Sequence, residues 1–300
     1  MKNSCIVLEG GGLRGAFTSG VMEYLLERDL NFDKVIGVSA GACVGASYLS
    51  KQKGRNLKVN VEYPSDKRFM GLKHLLTTGS YFNMKFVFEE LPGRLVPFDE
   101  EAFFKNSAEF DVITTSRRTG KPVVFSKKEL EKIGLNKALV ASSSIPLLSR
   151  AVKIGSEYYF DGGVSDSIPV EYALSQHEKV VVVLTRPRDY RKGKLSNQIL
   201  YKIAFRKHPE FMKVLIRRNE EYNKTLDFCE RMEQEGRLFL VAPLTEFSIG
   251  RTEPRIEKRM HLYLHGYQTI CKEFENLQAF LVESELPESC LLYTSDAADE

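Results

Sequence analysis

Short apolar runs alternate with segments of helical spacing along the first 185 residues of the chain. The apolar runs that predict strands are "SCIVLE", "KVIGV", "FDVITTS", "KPVVFS", "SEYYFD" and "KVVVVLT". The helical patterns between them lie at residues 16–28, "AGACVGASYLSKQ", "LNKALVASSSIP" and "IPVEYALSQ". Because the strands are continuously apolar and alternate with helices, we expect an α/β fold with a mainly parallel sheet and helices on both faces.

The pattern changes after residue 185. Residues 186–218 contain eleven Lys or Arg and two acidic residues, and helical spacing then continues to about residue 285, interrupted by the strand-like "RLFLVAP". We therefore expect a core over residues 1–185 and a mostly helical extension over residues 186–289 that packs on it. The final "LLYTSDAADE" breaks the pattern and resembles translated sequencing-adapter sequence, so residues 290–300 are predicted to be a non-native or disordered tail.

Composition narrows the class of protein. Of the 300 residues, 43% are hydrophobic and 28% charged, as in a globular protein, and the formal net charge of +3 is too small to indicate a nucleic-acid partner. No apolar stretch approaches the roughly 18 residues of a membrane span, and the run Cys5–Leu8 is too short for the core of a signal peptide. Five scattered cysteines without a CxxC pair predict reduced thiols rather than disulfides or structural zinc, which favours a cytoplasmic protein.

The stretch "GGGLRG", residues 10–15, follows a predicted strand and opens a predicted helix, and it fits the dinucleotide pattern G-x-G-x-x-G. The acidic residue of that pattern is missing, because the second strand ends in "SAG", and no Gly-Lys-Ser/Thr closes the run as in a P-loop. Glycine N–H groups at a helix N-terminus bind negative charge, so we expect an oxyanion hole. A phosphate or nucleotide cradle and a plain turn remain the alternatives.

The motif "GVSAG" places Ser39 between two glycines, after an apolar strand and before a helix of small residues. This strand–turn–helix setting holds a nucleophilic serine at the top of an α/β sheet. We therefore expect Ser39 to be a nucleophile and the N–H of Ala40 to be an oxyanion donor. The alternative is an inert serine in a turn of small residues.

A nucleophilic serine needs a base. The five histidines lie at positions 74, 177, 208, 261 and 265. None of them follows a strand end with a local signature, whereas Asp161 in "YYFDGG" ends a predicted strand and precedes two glycines. Since the carboxyl edge of an open α/β sheet is where such folds place their sites, Asp161 is the candidate base. A simple Asp-Gly turn is the alternative.

Taken in order, "GGGLRG", "GVSAG" and "DGG", with "ASSSIP" before the last, resemble the patatin-like phospholipases over residues 4–185. The resemblance implies a Ser–Asp dyad in which Ser39 is the nucleophile and Asp161 the base. It also implies an oxyanion hole formed by residues of the two glycine motifs, namely Gly10, Gly11, Gly12, Leu13, Arg14, Gly15 and Ala40.

All three motifs are intact, so we expect an active serine lipid acyl hydrolase that cleaves fatty-acyl esters of a phospholipid or lysophospholipid through an acyl-serine. Neither role needs a metal or a cofactor. The alternatives are a non-catalytic anion- or lipid-binding module that keeps the glycine loop and, third, a nucleotide-binding protein.

Two segments bear on the substrate. Residues 70–104 are rich in Phe, Leu and Met, which favours ordinary core packing, with the lining or cover of an acyl slot as the alternative. Residues 55–97 lack clear periodicity, which is consistent with a lid or insertion. In the basic run, Ile199, Leu200 and Ile203 alternate with lysine and arginine. Such a pattern is more often a solvated helix face over a core, and our hypothesis is weak, reversible contact with an anionic membrane through this region. The sequence gives neither the ester cleaved nor the oligomeric state.

Overall fold

The computed structural model describes residues 4–196 and 198–283 of the chain, and the predicted tail at residues 290–300 lies outside them. Within the described residues the strands are β1 (Cys5–Leu8), β2 (Lys34–Val38), β3 (Glu109–Ser116), β4 (Pro122–Ser126), β5 (Val152–Ile154), β6 (Glu157–Asp161), β7 (Val180–Val183) and β8 (Leu238–Val241).

The helices alternate with these strands over the first half of the chain. They are α1 (Gly15–Glu27), α2 (Ala40–Leu49), α3 (Arg55–Leu57), α4 (Leu72–Thr78), α5 (Glu100–Lys105), α6 (Lys127–Ile133), α7 (Leu135–Ser142), α8 (Val170–Leu174), α9 (Gln198–Ala204), α10 (Pro209–Gln234) and α11 (Ile256–Glu283). Short 3₁₀ turns lie at Gly12–Arg14, Tyr63–Ser65 and Gly162–Val164, and π-helical turns at Lys58–Glu62 and Phe86–Leu95. In the described part of the chain no helix has the length and apolar character needed to span a membrane.

All eight described strands belong to one sheet of order β5-β6-β3-β2-β1-β7-β8, with β4 paired to β3 outside this path. Strands β1, β2, β3, β7 and β8 are parallel neighbours, whereas β4, β5 and β6 run antiparallel. Leu8 at the end of β1 is aligned with Gly37 of β2 and with Val183 of β7. The loops that follow these three strands therefore leave the sheet at the same edge.

Alternate residues of each central strand face opposite layers of helices. Ile6 and Leu8 of β1 belong to a core cluster shared with α1, α2, α7 and α11. Cys5 and Val7 belong to a second cluster, shared with α8 and α10. The expected α/β fold, a mainly parallel sheet with helices on both faces, is confirmed.

The region after residue 186 completes the sheet and both helical layers. Strand β8 pairs in parallel with β7, α10 packs on one face, and α11 packs along α1 on the other. A Cβ placed at Gly20 of α1 would lie 1.9 Å from the carbonyl oxygen of Tyr263, and one at Gly266 of α11 would lie 2.1 Å from that of Phe17. The two glycines thus let the helices approach to backbone contact. The division at residue 186 remains a prediction, and it falls between two paired strands.

Residues 55–97 form short helical turns rather than a long periodic element. Four of their buried apolar side chains, Phe69, Phe86, Leu91 and Val96, form a separate cluster with Leu13 of the glycine loop, defined here as residues 10–15. The segment that the sequence predicted to be a lid or insertion therefore lies beside the glycine loop.

Candidate active site

Ser39 occupies a sharp turn between β2 and α2. Its φ of 53° and ψ of −121° are unfavourable for a residue with a Cβ, and the side chain is only 5% exposed. The turn is held because the Ser39 N–H donates to Ser142 Oγ at 2.8 Å, while Ser142 Oγ donates to the carbonyl oxygen of Ile113 at 2.6 Å. Gly41 makes the turn possible as well, because a Cβ there would lie 2.3 Å from the carbonyl oxygen of Leu8.

The Ser39 hydroxyl donates a hydrogen bond to Asp161 Oδ2 at 2.8 Å. The other carboxylate oxygen, Oδ1, accepts the Gly163 N–H at 2.7 Å, and the side chain is 7% exposed. Burial raises the pKa of Asp161, while these two hydrogen bonds and the charges of Arg251 and Arg218 partly offset the rise. The carboxylate is therefore a stronger base than an aspartate in water.

Asp161 reaches this position by a route that the sequence did not predict. It was expected to end a strand at the carboxyl edge of the sheet, and the sequence did not predict that this strand, β6, is antiparallel to β3. The parallel pairing of β2 with β3 ends at Val38 and Ile113. Strand β3 continues beyond this edge, and its next residue, Thr114, pairs with Asp161 of β6. Strand β6 thus approaches the edge from outside and ends beside Ser39.

Four main-chain N–H groups of the glycine loop already donate hydrogen bonds to carbonyl oxygens of the protein. The pairs are Gly10 N to Ser167 O, Leu13 N to Arg251 O, Arg14 N to Gly11 O and Gly15 N to Gly12 O. Across the described residues the N–H groups of Gly11 and Gly12 have no protein acceptor, and that of Ala40 is the first of α2, where helices lack an internal partner. Of the predicted donors, these three remain available for an oxyanion.

Ser39 lines two cavities. The first is polar and narrow, about 20 Å³, and the second is mainly apolar, about 80 Å³. The second adjoins a larger cavity of about 350 Å³, with which it shares Cys43, Val59, Val87 and Phe88. Six of the predicted site residues line the polar cavity, namely Gly10, Gly11, Gly12, Arg14, Ser39 and Asp161. Leu13 and Ala40 line the apolar one, and Gly15 begins α1 without lining either.

The polar cavity also contains three cations that the sequence did not assign to the site, namely Lys192, Arg218 and Arg251. Two of them belong to the basic run that predicted a membrane surface, and the third lies on the loop between β8 and α11. Among the described residues no histidine lines either cavity next to Ser39. His265, for example, accepts the Leu244 N–H at 3.0 Å.

The glycine loop, Ser39 and Asp161 thus meet at one edge of the sheet, and a family model described as patatin-like phospholipase matches residues 6–174. The chain belongs to the patatin-like phospholipase family. The patatin-like region supplies Ser39, Asp161 and the glycine loop. A second model, described as a domain of unknown function (DUF6363), matches residues 208–282, the region that supplies Arg218 and Arg251.

Three curated relatives are similar to this patatin-like chain. The uncharacterized protein YjjU of Escherichia coli is 30% identical over 183 residues, which are 60% of this chain and 50% of YjjU. The probable lipid hydrolase 463L of Invertebrate iridescent virus 6 is 24% identical, over 58% of this chain and 64% of the viral protein. The uncharacterized protein YqhO of Bacillus subtilis is 25% identical, over 63% of this chain and 73% of YqhO. The match to YjjU therefore spans about half of that protein's length.

Two solved structures are distantly similar. VipD from Legionella pneumophila has a TM-score of 0.47 and 12% identity, with 92% of this chain and 67% of VipD covered. The type III effector ExoU has a TM-score of 0.41 and 13% identity, with 96% and 54% covered. At these scores neither likeness carries an inference about the chain.

Proposed function

We propose that the protein is a serine lipid acyl hydrolase, a carboxylic ester hydrolase whose nucleophile is Ser39 and whose base is Asp161. The observation that carries the proposal is the 2.8 Å hydrogen bond from Ser39 Oγ to Asp161 Oδ2. It joins a strained serine to a buried carboxylate whose pKa is raised by that burial. Membership of a phospholipase family supports the same class of activity.

The reaction proceeds in two halves. Ser39 Oγ attacks the ester carbonyl while Asp161 accepts the hydroxyl proton, and the carboxylic acid then gives that proton to the departing alcohol. Water next attacks the acyl-serine as Asp161 removes its proton, and the proton returns to Ser39 Oγ as the fatty acid leaves. The N–H groups of Gly11, Gly12 and Ala40 stabilise the oxyanion in both halves.

The apolar cavity beside Ser39 accommodates the acyl chain. Its lining includes Phe69, Phe82 and Phe88 from residues 55–97, and it adjoins the larger cavity of about 350 Å³. Burying an acyl chain there is favourable by about 0.8 kcal/mol for each methylene removed from water. The reactive end of a fatty-acyl ester is thereby held at Ser39.

Substitution of the dyad tests the proposal. We expect Ser39→Ala and Asp161→Asn each to lower kcat/KM for a lysophospholipid by about 10²-fold or more, because each removes one half of the proton-transfer pair. Circular dichroism and thermal melting check that the fold is retained. Ser175→Ala and Asp227→Asn are matched controls at exposed positions and should keep full activity. Full activity in either dyad variant would overturn the mechanism.

A further inference from the structure

Four cationic side chains converge on the polar cavity beside Ser39. Arg14 comes from the glycine loop, Arg218 from α10, and Lys192 and Arg251 from loops of the C-terminal region. None of the four forms an ion pair within the described residues, and the one hydrogen bond from their charged groups runs from Arg218 Nη2 to Gly163 O at 3.0 Å. The buried Nε atoms of Arg14 and Arg218 have no acceptor at all.

Other buried cations have partners. The buried Nε atoms of Arg55 and Arg186 also lack an acceptor, but each of these guanidinium groups donates elsewhere, to Ser47 Oγ and Glu246 Oε1. Arg259 is fully buried, and its guanidinium donates to Val61 O, Glu253 O and Ser65 Oγ. The buried Lys127 likewise donates to main-chain carbonyl oxygens. Leaving a buried donor unsatisfied costs about 1–3 kcal/mol, and more when the group is charged. The unpaired N–H donors of the polar cavity are therefore suited to an acceptor that a ligand supplies.

Protein carboxylates do not balance the charge. Among the described residues, the carboxylates whose charges act on Arg14, Lys192 and Arg218 are Glu9 and Asp161, whereas Asp166 and Glu221 line a separate cavity with Arg218. Glu9 is already satisfied, because it accepts hydrogen bonds from Thr185 Oγ1 at 2.9 Å and from Tyr222 Oη at 2.8 Å. The Lys192 ammonium lies 3.2 Å from the centroid of the Tyr222 ring. The cavity is thus left with about two uncompensated positive charges.

The pKa values of these cations also reflect burial and mutual repulsion. Burial and the neighbouring arginines lower the pKa of Arg14 and of Arg218 to about 10. The same causes lower the pKa of Lys192 well below its ordinary value. A bound anion would relieve this repulsion.

We propose that Lys192, Arg218 and Arg251, with Arg14, form a subsite for a phosphate group on the alcohol side of the scissile ester. The inference rests on the proposed function, since it assigns the part of the substrate that leaves after attack by Ser39. It makes the C-terminal region a determinant of substrate specificity, selecting acyl esters that carry phosphate over neutral acylglycerols.

The placement of the two cavities fixes which part of the substrate each one receives. They meet at Gly12, Ser39 and Ile145, which line both. With the acyl chain in the apolar cavity and the carbonyl at Ser39, the alcohol part enters the polar cavity.

The charge of the cavity favours phosphate over carboxylate. A phosphomonoester carries about −1.5 to −2 charges at pH 7, which matches the excess positive charge of the cavity. Its three acceptor oxygens match cations that approach from different elements of the fold. A carboxylate presents two oxygens in one plane and is satisfied by a single arginine.

A matched pair of substrates tests the subsite. The kcat/KM of the full chain is measured for a monoacylglycerol phosphate and for the monoacylglycerol with the same acyl chain. We expect wild type to prefer the phosphate ester, and Arg251→Met and Lys192→Met each to reduce that preference about tenfold to hundredfold, mainly through KM. Arg217→Met, which removes an exposed charge next to Arg218 on α10, is the control and should keep the preference.

Equal kcat/KM values for the two lipids in wild type would overturn the proposal, as would a preference that both cavity variants retain. Titration of inorganic phosphate, followed by calorimetry, separates this failure from that of the proposed function. If neither lipid is cleaved, the hydrolase proposal fails, yet phosphate binding that Arg251→Met weakens still supports the subsite, and absence of binding overturns it. Phosphate binding without discrimination between the lipids would indicate a site for the free anion and would overturn the assignment to the substrate.

Discussion

In the proposed mechanism Asp161 acts without a histidine, so its surroundings decide how well it would serve as a base. An aspartate in water has a pKa of about 3.9 and accepts a proton poorly at neutral pH. Burial beside Ser39 raises the pKa of Asp161, while Arg251 and Arg218 pull it back down. The two arginines therefore balance basicity against ionisation, since a carboxyl that is protonated cannot act as a base.

The pH profile of turnover reports this balance. Because the proposed active form is the carboxylate and the pKa of Asp161 is raised, kcat/KM for a neutral ester should fall on acidification at a pH above the ordinary pKa of an aspartate. Arg251→Met removes a charge that lowers this pKa, so the acid limb should move to higher pH. Arg217→Met should leave it in place. An acid limb that Arg251→Met leaves unmoved would contradict this account.

The sequence was sufficient to propose Ser39, Asp161 and the glycine loop as site residues, because each lies in a short local motif. It could not reveal Ser142, whose Oγ fixes the Ser39 N–H from 103 positions away. Nor could it place Lys192 and Arg251, since charge alone does not distinguish a cation in a cavity from one on a surface. The basic run was a usable signal, but its pattern also fits a solvated helix.

Among the elements, α9 carries the part of the basic run that is exposed. Ile199, Leu200 and Ile203 are 74%, 52% and 63% exposed, and exposed lysine and arginine flank them. Phe205, just after the helix, packs against Phe160 of β6 with ring centroids 5.6 Å apart. The apolar face of α9 is thus fixed close to the strand that ends in Asp161.

We propose that α9 contacts an anionic membrane, and liposome co-sedimentation tests this. Wild type should bind anionic vesicles more than neutral ones, because charge attracts the helix and its isoleucines then enter the interface. The double variant Ile199→Ser with Ile203→Ser should weaken binding at least tenfold, given about 1.5–3 kcal/mol for each buried isoleucine. Leu264→Ser, at 45% exposure on α11, is the control. Equal binding to both kinds of vesicle, or none to either, would count against the proposal.

Strand direction was the feature of the elements that the sequence could not supply. The run "SEYYFDGG" predicts a strand that ends at Asp161, but its pattern is the same for a parallel and an antiparallel strand. Direction depends on pairing with β3, which lies more than 40 residues earlier in the chain. The position of Asp161 at the correct edge is a consequence of that long-range pairing.

At the scale of the whole molecule, the C-terminal region contributes residues to the candidate active site. The sequence separated it from the core because its composition changes at residue 186, and composition does not report which layers of a fold a segment joins. In the structure, β8 extends the sheet, α11 lies along α1, and Arg251 O accepts the Leu13 N–H of the glycine loop at 3.1 Å. The loop is therefore held partly by residues outside the patatin-like match.

Separation of α11 from α1 should destabilise the protein and impair the site together. In Gly266→Val, the new Cβ alone would lie 2.1 Å from the Phe17 carbonyl oxygen, and the two methyl groups add further atoms. The helices must therefore move apart. Such overpacking costs about 1–3 kcal/mol, and we expect a Tm lower by roughly 5 °C, together with reduced kcat/KM, because α1 begins at the glycine loop. Gly193→Val, where no atom lies within 4 Å of the added Cβ, should change neither. An unchanged Tm in Gly266→Val would contradict the close packing.

The central claim is that Ser39 is an activated nucleophile. Treatment of the full chain with a fluorophosphonate, followed by intact mass and mapping of the modified peptide, tests it most directly. The account predicts a single adduct on Ser39, absent from Ser39→Ala and formed much more slowly by Asp161→Asn. No adduct in the presence or absence of lipid vesicles would contradict the claim and favour a binding module, and an adduct on a different serine would place the nucleophile elsewhere.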